Sequence, residues 1–97
     1  MEKIYITAIE QYVIDEVKRR RVQLGISQKE LSFLLDVSEG YVGLVESAKT
    51  DDKYSLKRVN DLAVILNCSP KDLLPEDAFL EWKIGGIIRS KISLTYS

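Results

Sequence analysis

Ninety-seven residues, 45% hydrophobic and 30% charged, fit one soluble domain with a modest core. Fourteen basic against fifteen acidic residues leave a net charge of −1, so there is no overall basic field for a polyanion. The chain has no histidine and one cysteine, which removes His-based triads, His-liganded zinc and an internal disulfide, and argues against a thiolate metal site.

Residues 3–7 (KIYIT) are β-branched and aromatic and read as a short strand. From 9 to 24 the pattern turns helical, with Ile9, Val13, Val17 and Leu24 near one face. Gly25 follows as the C-cap residue that reaches the left-handed region cheaply. The run Lys18-Arg19-Arg20-Arg21 reads as a solvated helix face with one arginine in an ion pair.

Ser27 and Glu30 have the spacing of a capping box, which starts a second helix over 28–35 with Leu31, Leu34 and Leu35 on one side. Asp36-Val37 breaks it. Ser38 offers an N-cap for helix 3, over 39–47, with Val42 and Val45 as its apolar edge. Helices this short are unstable alone and must share a core, which is the arrangement of a helix-turn-helix.

Residues 48–54 are polar and aperiodic and read as a loop, where Asp51-Asp52 is a solvated pair. Ser55 caps a fourth helix in which Leu56, Val59, Leu62, Ala63 and Leu66 recur at helical steps, and Asn67 ends it in the left-handed region. Ser69-Pro70-Lys71-Asp72 then starts a fifth, brief helix before Pro75. Tyr54 and Phe33 are expected in the core or at its rim, and Cys68 as a small buried hydrophobe.

The tail differs. Residues 78–83 suggest a helical turn, Gly85-Gly86 interrupts it, and KISLTY at 91–96 alternates like a strand. The two ends match in pattern and length, so they suit one sheet, within a chain or between two; the alternative is a loosely packed arm. Trp82 is expected to be buried against the domain or a second subunit. The expected organisation is an arm or strand over 1–8, a five-helix all-α domain over 9–75 and a dimerising tail over 76–97, with short β segments at the two termini.

The order and spacing resemble the lambda-repressor/Cro-like (XRE-like) helix-turn-helix family over residues 13–74. Leu24-Gly25-Ile26-Ser27-Gln28 resembles that family's lead-in to helix 2. Leu31, Val37, Val42, Val45 and Glu46 resemble its framework, and Leu62-Ala63 with Ile65-Leu66-Asn67-Cys68-Ser69 resembles its fourth helix and exit.

The resemblance implies a fold that sets helix 3 in the major groove of double-stranded DNA. It implies that Gln28 donates to a phosphate beside Lys29, and that Lys49 and Thr50 touch the backbone. Ser38, Glu39, Gly40, Tyr41, Gly43 and Leu44 would face the groove, with Arg21 and Glu46 as an ion pair that orients helix 3. Glu39 suits a cytosine amino group, and Tyr41 or Leu44 a thymine methyl.

This surface departs from the family's usual Arg, Gln, Asn, Ser and Thr. Asp36 and Ser32 also replace a usual glycine and alanine, and Ala48 a glycine after helix 3. Between residues 12 and 74, ten basic and ten acidic residues balance.

The leading reading is therefore a non-enzymatic DNA-binding transcriptional regulator, acting as a homodimer. The alternative is a protein-interaction module, antitoxin-like or an adaptor, whose helix 3 docks a partner protein. No cofactor, metal site, small-molecule ligand or membrane segment is indicated, and the acidic N-terminus is no signal peptide, so a cytoplasmic location is expected.

Overall fold

The computed structural model describes residues 6–79 together with 82–84 and 87–89. Four α-helices follow one another, α1 (Ala8–Gln23), α2 (Gln28–Leu34), α3 (Tyr41–Glu46) and α4 (Leu56–Ile65). A 3-10 turn at Pro70–Leu73 stands where a fifth helix was expected. Two strands, β1 (Trp82–Ile84) and β2 (Ile87–Arg89), pair antiparallel with Trp82 opposite Arg89 and Ile84 opposite Ile87.

α1, α2 and α4 each begin where a side chain at the N-cap accepts from one of the first orphan N–H groups. Thr7 caps α1 with Glu10 reaching back, so Thr7 starts a helix rather than ending the expected strand. Ser27 and Glu30 do the same for α2, and Ser55 caps α4. Ser69 and Asp72 form a further box, but the segment closes after one tight turn because Pro75 lies too near to let it continue.

The exits use left-handed residues: Gly25 at φ 72°, Asp36 at 58° and Asn67 at 57°. The expected strand pairing of the two ends and the strand at 91–96 lie outside the described residues. Among the described residues of the helical turn suggested for 78–83, 78–79 are not helical and 82–83 belong to a strand, 82–84, that pairs with 87–89. Gly85-Gly86 between two β-rich triplets is a hairpin signature that outweighs the weak helical period.

The core draws on every helix: Val13, Ile14 and Val17 from α1, Leu31 from α2, Val42 and Val45 from α3, and Val59, Leu62 and Ala63 from α4. Leu35, Tyr54, Leu66 and Leu73 close it. Several apolar residues expected inward lie outside it. Ile9, Leu24, Leu34 and Leu56 are exposed, and Phe33 is 79% exposed. A helical period marks a stripe, but a seven-residue helix covers only its middle, where Leu31 sits. Cys68 is half-buried against the core.

The basic run divides as its neighbours dictate. Arg19 and Arg20 both reach Glu16 on the outside of α1, and Arg19 first of all holds the Glu16 carboxyl below its usual value. Arg21 turns inward and is buried.

Candidate nucleic-acid interface

The α2–turn–α3 unit is fixed to α1 through one carboxylate. Arg21 Nε and Nη2 each donate to Glu46 at 2.9 Å, and Arg21 Nη1 donates to the Ile26 carbonyl at 2.7 Å. Gln28 Nε2 donates to Glu46 Oε1 at 2.9 Å. With its side chain 2% exposed, Glu46 is a buried charge paired and hydrogen-bonded from two helices. A Cβ at Gly43 would stand 3.3 Å from Gln28 Oε1, so the bare glycine leaves room for the amide beside α3.

α3 begins two residues later than expected, at Tyr41, and Ser38 is not its side-chain cap. Gly40 occupies the N-cap position without a side-chain bond, while the Ser38 carbonyl accepts from the Tyr41 N–H. The Val42 N–H instead donates to Ser32 Oγ at 3.1 Å, fully inside the protein. Ser32 thus caps α3 from within α2, ten residues away, which no local spacing announces. It is the positioning residue that sequence reasoning missed.

Tyr41, expected to face the groove, is half-buried. Its ring lies 6.1 Å from that of Tyr54, and the Arg58 guanidinium sits 5.8 Å over its face. Tyr54 is buried, and its hydroxyl has no hydrogen-bond partner among the described residues. Burial, then the Glu46 carboxylate and Tyr41, raise the Tyr54 phenol above its ordinary 10.0, with Arg21 opposing. The half-buried Tyr41 therefore braces α3 on α4.

Ser38, Glu39, Gly40, Leu44 and Lys49 are exposed. Lys29 Nζ pairs with Glu39 at 3.5 Å in the open. The Thr50 hydroxyl is occupied: it donates to the Leu44 carbonyl at 2.6 Å and accepts from the Asp52 N–H at 3.4 Å, tying the 48–54 loop to the end of α3. The structure brings Gln28, Gly43, Leu44 and Thr50 together around α3, with Lys29 and Glu39 joined beside its start.

A helix-turn-helix family model matches residues 17–73. The chain belongs to the lambda-repressor-like helix-turn-helix family. The restriction-modification controller protein C.AhdI from Aeromonas hydrophila is similar at 31% identity over 64% of this chain and 91% of that one, with a TM-score of 0.55. The hypothetical transcription factor NHTF from Neisseria shares the fold at 24% identity, TM-score 0.60, over 69% of this chain and 75% of that one.

HppE in its apo form shares the fold at 21% identity, TM-score 0.61, over 84% of this chain; the match spans 43% of the HppE chain, and at that identity shows the fold alone. No curated protein sequence matches. Among the described helices of this family member, none is long and apolar enough to cross a membrane.

Proposed function

We propose that this chain is a sequence-specific DNA-binding transcriptional regulator that lays α3 in the major groove as a homodimer. The reading is carried by one observation: family membership spans the unit that Arg21, Gln28 and Glu46 fix in place. A rigid α2–α3 pair is what groove recognition requires. The names of the controller protein and the transcription factor it resembles point the same way.

In this reading Gln28 serves two partners, because an amide nitrogen carries two hydrogens: one goes to Glu46 and the other to a phosphate. Lys29 and Lys49 add charge at the backbone, and Thr50 acts by holding the loop that carries Lys49. Ser38, Glu39, Gly40, Gly43 and Leu44 face the base edges, with Lys29 offsetting the repulsion between Glu39 and phosphate. Tyr41 supports this face from behind.

The protein binds and performs no reaction, and it works in the cytoplasm. The arm at 1–8 and the tail at 76–97 join two copies; β1 and β2 support this, since an isolated two-stranded hairpin is marginal and gains from added partners. Hydroxyl-radical footprinting on duplexes selected from a random pool tests the reading. Two symmetric protected patches about one helical turn, roughly 34 Å, apart are expected; a single asymmetric patch contradicts the dimer.

One observation favours a second reading as a protein-interaction module. Phe33, 79% exposed, and the exposed Leu34 sit at the outer side of α2 in a protein of net charge −1. Such a module would keep its partner at high salt, where phosphate binding is lost.

A further inference from the structure

We propose that the groove face of α3 reads the 5-methyl group of a pyrimidine, thymine or 5-methylcytosine, through Leu44, the exposed apolar side chain of that helix. The inference rests on the major-groove reading above and narrows it to a class of site. Of the six residues of α3, Val42 and Val45 are in the core and Glu46 is bonded to Arg21 and Gln28. The Tyr41 ring is half-buried, against Tyr54 and under Arg58, and Gly43 has no side chain. Leu44, 51% exposed, is the one exposed residue of the helix.

Leu44 neither donates nor accepts. Among the groups on the major-groove edges of the bases, the pyrimidine 5-methyl is the apolar one. The surroundings favour close approach. A helical side chain leans toward the N-terminus, so Leu44 lies over the turn begun by Gly40. A Cβ at Gly40 would meet nothing within 4 Å, so the space beside that residue is open. Thymine carries the methyl by nature; cytosine carries it at the same place in the groove only when methylated, which would make binding sensitive to that modification.

The test uses the full chain and duplexes recovered from a random pool. Each thymine of the recovered site is replaced in turn by deoxyuridine and each cytosine by 5-methylcytosine, and Kd is measured at fixed salt for wild type and Leu44→Ala. Loss of one methyl in a half-site should weaken the wild type about fourfold, the worth of one buried carbon, and leave Leu44→Ala unaffected. A comparable gain on methylating one cytosine, again absent from Leu44→Ala, supports the proposal with 5-methylcytosine as the source. If all these duplexes bind the wild type alike, the proposal is overturned while the regulator reading stands. If low salt recovers no duplex at all, both fall.

Discussion

Arg21 on α1 and Glu46 at the end of α3, 25 residues apart, form a two-pronged pair with both bonds at 2.9 Å and both side chains buried. Local helix propensity cannot set the angle between helices this short. The pair does so with a directional contact in a dry setting, where a fork-shaped donor has one good geometry. Gln28 adds a bond from α2 to the same carboxylate, so three helices share one anchor.

Glu46→Ala should cost about 3–5 kcal/mol, because it leaves the Arg21 guanidinium buried without its counter-charge. Replacing both residues, as Arg21→Met with Glu46→Leu, should recover much of the loss. Urea denaturation of the two single variants and the double variant gives the coupling.

Gly43 lies mid-helix, where alanine is ordinarily better by up to about 1 kcal/mol. In the wild type that gain should be reduced, since the new Cβ would crowd the Gln28 amide at 3.3 Å. With Gln28→Ala in place it should be realised in full. Thermal melts of Gly43→Ala with and without Gln28 report the difference.

The Tyr54 hydroxyl is buried and unbonded among the described residues, so Tyr54→Phe should be neutral or stabilising. Its raised phenol pKa adds a pH dependence. The folded state keeps the proton after the unfolded chain begins to lose it, so the stability is full below pH 10.0 and is lost as pH rises beyond it toward the folded value. Stability curves from pH 8 to 11 should fall less for Tyr54→Phe than for the wild type.

Asp36 holds φ 58° in the turn before α3. Asp36→Gly should be stabilising or neutral and Asp36→Ala destabilising by about 1 kcal/mol, the order expected for a left-handed residue. Chemical denaturation distinguishes them.

Much of this fold is local chemistry that the sequence states openly. Ser27 with Glu30 and Ser69 with Asp72 cap as their spacing says, and Gly25 and Asn67 take the left-handed exits. The Arg21–Glu46 pair was legible only through family resemblance, since nothing at position 21 or 46 alone names its partner. What spacing could not give is the tertiary contact. Ser32 caps α3 from another helix, whereas local spacing points to Ser38. The contacts of Tyr41 with Tyr54 and Arg58 join residues 13 and 17 positions apart, which no local spacing announces. Phe33, expected in the core or at its rim, is exposed, because hydrophobicity does not say which side of a short helix is covered.

The decisive measurement of DNA binding is fluorescence anisotropy of labelled duplexes, from this protein's own upstream region and of random sequence, titrated at low and physiological salt. A specific regulator binds the upstream duplex more tightly. Its log affinity falls linearly with log salt, at a slope of about −0.9 for each phosphate engaged. Absence of binding to either duplex at low salt, with the protein folded, would contradict the regulator reading.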